Sequence, residues 1–179
     1  MAKEKQTLEK AKENLLLNLD EENFTKEMRF GGLTLVVQAP SILEEAKISI
    51  KKYDILRKLY YIDKDIKEYL EAFTINDLKL NEEGKLETEK VAFDVNNNQH
   101  LEFVFNNLNS NLQDLVLRLA YLSVVTKQIK RENEFLDVSF VDLIQRPLGK
   151  QKLSELNELV NSIVDWVNSL EVDPFLLKN

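Results

Sequence analysis

Few residues in this sequence could do chemistry, and none of them forms a known catalytic or metal-binding pattern. His100 is the only histidine, and the chain has no cysteine. One imidazole without cysteine ligands does not make a zinc site. A general base would also need a nucleophile and an orienting acid beside it. We therefore expect His100 to be a polar residue in the first turn of a helix.

Two pairs of acidic residues, Asp63 with Asp65 and Glu82 with Glu83, are the other candidates for a chemical role. Neither pair has the EF-hand spacing or the closing glutamate at its twelfth position. The sequence contains four glycines and no phosphate-binding loop, dinucleotide fingerprint or nucleophile elbow. We therefore predict no catalytic, cofactor-binding or metal-binding residue, and interpret the chain as a non-enzymatic protein.

The charge distribution and the lack of long apolar runs argue against nucleic acid and membranes as partners. The formal net charge is −7, whereas a nucleic-acid binder normally presents a basic face. The lysine-rich stretch 47–67 is interleaved with acidic residues, which favours a solvated helix surface. The N-terminus has no apolar signal segment, and no apolar run approaches the roughly 20 residues that span a bilayer. We expect a cytoplasmic protein that binds neither nucleic acid nor membrane.

Aromatic and apolar residues are the better candidates, and the role they indicate is binding of a protein partner. Trp166 is either a half-buried core residue or an interface anchor, since tryptophan is enriched at binding hot spots. An apolar tail follows Pro174, and it either folds back onto the domain or docks a partner. The candidate partner-binding residues are Tyr53, Tyr60, Trp166, Phe175, Leu176 and Leu177.

The elements that position these residues are mostly helices. The sequence predicts a mainly α fold, a single helical domain over residues 1–179 with a small N-terminal β-hairpin. The first helix is expected over Thr7–Leu19. Gly31 and Gly32, followed by the β-branched run Leu33–Val37, predict a tight hairpin turn with positive φ angles.

A long helix follows the hairpin. Ser41 and Glu44 have the spacing of a capping box, and apolar residues then recur every three or four positions from Ile42 to Phe73, with a bend expected near Asp54. The segment 74–98 is patterned weakly and is a candidate for flexibility. It is interpreted as a loop, with a weak hairpin turning at Gly84 as the alternative.

Two further apolar stripes complete the pattern. The first runs over 101–125, with an interruption at 109–111, and its part 112–125 is the candidate central helix. The second, in a helix over 150–170, steps 3-4-3-4-3 like a heptad seam. It predicts burial, either within the domain or against a second copy, of Leu156, Val160, Ile163 and Val167. Residues 132–142 remain ambiguous.

The order of these elements resembles that of the tail assembly chaperones of long-tailed bacteriophages and related prophages. The resemblance rests on Phe30 and the strand Leu33–Val37, on Pro40-Ser41 opening a long helix, and on helices leading to an acidic C-terminus. It covers about Met28 to Phe73 and the general plan of the rest, and it carries over no catalytic or ligand-binding residue.

The resemblance implies a protein that coats the tape measure protein and keeps it soluble until the tail tube polymerises around it. The partner would then be an amphipathic helical client, and self-association is a second expectation. An apolar groove on a helical protein suits such a client. The alternative is a structural virion protein, or a host adaptor protein, that interacts with helical partners.

Overall fold

A computed structural model describes residues 24–81, 83–132, 134–144 and 149–170. These residues form six β-strands, five α-helices and one short 3₁₀ helix. In chain order they are β1 (Thr25–Phe30), β2 (Leu33–Gln38), α1 (Ile42–Ile62), α2 (Lys64–Glu71), β3 (Thr74–Leu80), β4 (Leu86–Ala92), α3 (Asn98–Asn107), α4 (Ser110–Val125), β5 (Thr126–Arg131), β6 (Glu134–Leu136), the 3₁₀ helix (Phe140–Leu143) and α5 (Lys150–Ser169).

The predicted fold class, mainly α with a single small hairpin, is wrong. The protein is a mixed α/β structure with two antiparallel sheets, one of four strands and one of two. The missed strand β5 carries three basic residues, and Ile129 is the only residue of it that is buried. A strand with one apolar contact has little local signal, and its pairing with β2 decides its conformation.

The four-stranded sheet has the order β1-β2-β5-β6. Gly31 and Gly32 turn β1 into β2 with φ angles of +55° and +81°, which confirms the predicted turn. Leu35 pairs with Met28 on one side and with Ile129 on the other. Leu35 and Val37 are completely buried, so this face of the sheet packs against the core.

The two-stranded sheet is the hairpin β3–β4, which turns near Gly84 at a φ of +74°. The weak apolar pattern of this segment predicts a loop, with a hairpin at Gly84 as the alternative, and the hairpin is the conformation found. Asn97 then caps α3, because its side chain accepts hydrogen bonds from the backbone N–H groups of Gln99 and His100.

The long helix predicted from Ile42 to Phe73 is two helices. The capping box is confirmed: Glu44 N–H donates to Ser41 Oγ (3.3 Å), and Ser41 N–H donates to Glu44 Oε2 (3.0 Å). The break lies at Asp63, not near Asp54. Asp63 is extended, and its carboxylate accepts from the N–H groups of residues 65 and 66, so it starts a new helix.

The core lies between the helices and the inner face of the four-stranded sheet. Helix α4 packs along α1 and buries Val116, Leu119, Ala120, Leu122 and Val125, which confirms it as a central helix. Its start at Ser110, with Asn109 as the N-cap, confirms the predicted interruption.

The heptad seam lies on α5, which packs against β1 and α4. Leu156, Val160 and Ile163 are buried, and Val167 is half-buried against the core. The seam is therefore buried within the domain, the first of the two alternatives. The predicted helix Thr7–Leu19 and the tail residues Phe175, Leu176 and Leu177 lie outside the described residues.

Candidate protein-binding surface

The first turns of α1 carry an exposed apolar surface, which we call the α1 stripe: Ile42, Leu43, Ala46 and Ile50. The exposed fractions are 85% for Ile42, 76% for Leu43 and 68% for Ile50. The second half of the same helix is buried through Ile55, Leu56 and Leu59. The helix thus buries one face of its C-terminal half and presents apolar side chains to solvent near its start.

A groove of about 370 Å³ lies beside the α1 stripe, between α1 and the end of α4. Its lining residues are Glu44, Lys47, Ile50, Lys51, Ser123, Val124 and Lys127. Three of these are lysines and one is an acid. The groove therefore has an apolar side and a basic rim.

A β-bulge helps to shape this groove. Val36 pairs with Gln128 but Val37 pairs with Thr126, so Lys127 is an extra residue in β5. Such a residue is turned out of the regular ladder, and Lys127 Nζ forms an ion pair with Glu44. The hydrogen bond from Lys127, together with the backbone of Ser41, lowers the pKa of the Glu44 carboxyl. The ion pair joins the start of α1 to β5.

His100 is buried, with 4% of its surface exposed, and both of its ring nitrogens have partners. Nδ1 accepts the backbone N–H of Asp94 at 3.0 Å, and Nε2 lies 3.2 Å from both carboxylate oxygens of Asp77. Since Nδ1 is an acceptor, the proton is on Nε2, which donates to Asp77. His100 therefore links β3 to α3 by a hydrogen bond, a role that its position in the sequence does not predict.

Tyr53 and Tyr60, both predicted partner-binding residues, lie half-buried on α1. Burial raises the pKa of the Tyr53 hydroxyl. The Tyr60 hydroxyl donates to Glu71 Oε1 at 2.7 Å, and this bond raises the pKa of Tyr60 to about 12. The Tyr60 ring packs edge-on against Tyr61 and Phe93. Tyr61 is 67% exposed, so it offers more surface to a partner than either predicted tyrosine.

Trp166 lies on a different helix, α5, and packs half-buried against the core. The Nζ of Lys26, on β1, lies 5.8 Å from the centre of its ring. The structure therefore places Trp166 beside the four-stranded sheet, where its contacts are separate from those of Tyr53 and Tyr60. Its role as an interface anchor stays a prediction.

A cavity of about 630 Å³ lies between β5 and the segment after β6. Asp142 lines it, and its carboxylate accepts from Ser139 Oγ at 2.7 Å and from Ser139 N–H at 3.1 Å. These bonds lower the pKa of Asp142 and start the 3₁₀ helix. No three of the described His, Cys, Asp and Glu residues are grouped so that they could hold a metal ion.

The sequence does not reveal the α1 stripe, because Ile42, Ala46 and Ile50 continue the same spacing as the buried residues of the helix. Spacing shows which face of a helix is apolar, but it does not show where the neighbouring helix ends. The one signal that could have revealed the exposed end of α1 is the difference in length between α1 and α4. The 21 residues of α1 span about 31 Å at 1.5 Å per residue, and the 16 residues of α4 span about 24 Å.

Comparisons with protein families, with curated proteins and with solved structures give no match for this chain. Within the residues that the structure describes, no helix is long and apolar enough to cross a membrane.

Proposed function

We propose that this protein is a non-enzymatic chaperone that binds an amphipathic helix of a client protein in the cytoplasm. The observation that carries the proposal is the α1 stripe, an apolar helix face with no partner among the described residues. Burying one such side chain is worth about 1.5–3 kcal/mol. A client helix that covered Ile42, Leu43 and Ile50 would therefore gain a substantial part of a binding free energy.

The shape and charge of the surface favour a helix as the occupant. Ile42, Ala46 and Ile50 repeat every four residues, which is the spacing that an apolar helix face can pack against. Lys47 and Lys51 flank the stripe, and Lys127 lines the adjoining groove, where Lys51 also pairs with Asp54 and Lys127 with Glu44. An amphipathic helix with acidic residues beside its apolar face would complement this arrangement.

The resemblance to phage tail assembly chaperones suggests which client this is. The tape measure protein is long and helical, and its apolar faces need cover before the tail tube forms. We propose that the client is the tape measure protein of the same phage or prophage, and that binding takes place in the bacterial host cytoplasm.

The test is co-expression of the full chain with a tape measure protein of the same phage or prophage. The soluble fraction of the client is measured with the unchanged chaperone and with a variant in which Ile42 and Ile50 are both replaced by Asp. Because both side chains are exposed, the variant should keep its melting temperature. It should no longer bind the client, so the soluble fraction of the client should fall. The matched control is Leu117→Asp on α4, which is 42% exposed and lies outside the stripe.

Two results would contradict the proposal. One is a tape measure protein that is equally soluble with and without the chain. The other is recovery of the chain as a stoichiometric component of purified phage particles, which would favour a structural virion protein instead.

A further inference from the structure

The hairpin β3–β4 presents a second apolar surface, which lies on β-strands and not on a helix. Leu78 is 70% exposed and Leu86 is 69% exposed. Leu80 pairs with Leu86 and Leu78 with Thr88, so Leu78 and Leu86 are diagonal neighbours on one face of the hairpin. A two-stranded sheet is only marginally stable by itself. A strand added beside β3 would cover part of Leu78.

The two edges of this hairpin differ in charge. The outer edge of β4 carries Glu87, Glu89 and Lys90, and charged residues of this kind keep an edge strand from pairing. Strand β3 carries only Asp77 and Lys79 among seven residues. Within the described residues, no other strand lies beside the outer edge of β3. β3 is therefore the edge that suits a further strand.

We propose that β3 pairs antiparallel with β3 of a second copy of this chain, around a twofold axis at Leu78. Leu78 then lies opposite Leu78 of the second copy. Lys79 lies opposite Asp77 of the second copy, and by symmetry Asp77 lies opposite its Lys79. The two hairpins become one four-stranded sheet with the order β4-β3-β3-β4.

Charge selects this register over its neighbours. An axis at Asp77 would place two carboxylates opposite each other, and an axis at Lys79 would do the same with two ammonium groups. Like charges directly opposite each other destabilise a strand pair, whereas opposite charges stabilise it. The axis at Leu78 makes two opposite-charge pairs at once.

The side chains concerned are available for these contacts. Lys79 is 60% exposed while it pairs with Glu89, and Asp77 keeps 30% of its side chain exposed while it accepts from His100. On the other face of the joined sheet, Leu86 and Leu78 of each copy form a diagonal band of four leucines. The second copy covers the central pair of that band.

Disulfide crosslinking tests this register, because the chain has no cysteine of its own. Residues directly opposite in an antiparallel pair have Cα atoms about 4.5–5.5 Å apart, within the range that a disulfide bridges. Leu78→Cys should therefore give a covalent dimer on mild oxidation, seen on a non-reducing gel. Asn76→Cys is the register control, since its two copies lie about 13 Å apart along the strand. Phe135→Cys is an exposed control on the other sheet.

Sedimentation equilibrium of the full chain tests the association itself. The unchanged protein should be dimeric, and Leu78→Ser and Lys79→Glu should each weaken the dimer at least tenfold. Phe135→Ser and Lys85→Glu change equally exposed residues away from the interface, so they should leave the dissociation constant unchanged. A monomer at all concentrations, or crosslinking at position 76 as fast as at position 78, would overturn the proposal.

Discussion

The two sheets of this protein are both antiparallel, but they are attached to the rest of the fold in different ways. The four-stranded sheet places Leu35, Val37 and Ile129 in the core. The hairpin β3–β4 buries Ile75 near its base and leaves Leu78 and Leu86 in solvent. Both sheets have paired strands, but the four-stranded sheet contributes several buried side chains to the core. The hairpin lies largely at the surface.

The hairpin is attached at its base by polar and aromatic contacts. Asp77 accepts from His100, and Asp94, just after β4, donates its N–H to the same ring. Phe93 packs on Tyr60. These contacts fix the position of the hairpin while its far end, near Gly84, stays exposed. Changes in the two sheets should therefore differ in size.

The largest effect is expected for Leu35→Ala in the four-stranded sheet. Leu35 is completely buried, and removing a buried leucine side chain costs about 2–5 kcal/mol through lost transfer free energy and the cavity left behind. Urea unfolding monitored by circular dichroism measures this loss. A loss under 1 kcal/mol would mean that this sheet is no more important to the core than the hairpin.

A smaller effect is expected for His100→Ala at the base of the hairpin. The change removes the hydrogen bonds that the buried ring makes with the N–H of Asp94 and the carboxylate of Asp77, and each such bond contributes about 0.5–1.5 kcal/mol. Hydrogen exchange should show the loss of protection concentrated in β3 and β4, with β2 and β5 little changed. Equal loss in both sheets would show that the two are a single cooperative unit.

High pH should weaken the aromatic attachment through Tyr60. Its pKa is raised from 10.0 to about 12, mainly by the hydrogen bond to Glu71. A raised pKa contributes stability that is complete below the unfolded-state pKa and is lost as pH rises through the folded-state value. Stability should therefore fall between about pH 10 and pH 12. This fall should be smaller in Tyr60→Phe.

Ultraviolet absorbance of tyrosinate gives the matching titration. The difference between the unchanged protein and Tyr60→Phe isolates one tyrosine, and Glu71→Gln should move its pKa down towards 10.0. A Tyr60 that titrates near its ordinary value in the folded protein would contradict the contact with Glu71.

The smallest effect is expected for Leu78→Ser near the exposed end of the hairpin. A substitution at an exposed site usually changes stability by no more than about 0.5 kcal/mol. Thermal unfolding at a low protein concentration, where the proposed dimer is dissociated, checks this. A loss above 1 kcal/mol would mean that Leu78 packs within its own chain.

The sequence predicted the elements that have strong local signals. The capping box at Ser41 and the turn at Gly31 and Gly32 are set by residues only one to three positions apart, so they could be derived without the fold. The burial of Leu156, Val160 and Ile163 follows from helical spacing. The residues of β5 have no such pattern. The conformation of this strand depends on its pairing with β2, which is far away in the sequence.

The candidate surface was predictable only in part. The sequence indicates helices with apolar faces, and from these a protein partner was expected. It does not show that Ile42 and Ile50 are exposed while Leu56 and Leu59 are buried, because all four belong to one helix pattern. Similarly, His100 is separated from Asp77 by 23 positions, so its buried hydrogen bonds could not be foreseen from local spacing.

The pairing of β2 with β5 also sets the order in which the chain can fold. Val37 pairs with Thr126, so about 90 residues must be synthesised after β2 before its partner exists. At roughly 5–20 residues per second, β2 waits on the order of 5–20 s on the ribosome. Closing so long a loop is also slow in free solution, because its entropy is lost before the contacts form. Docking of β5 should therefore be the rate-limiting step of folding, whereas β3–β4 can form within microseconds once it is made.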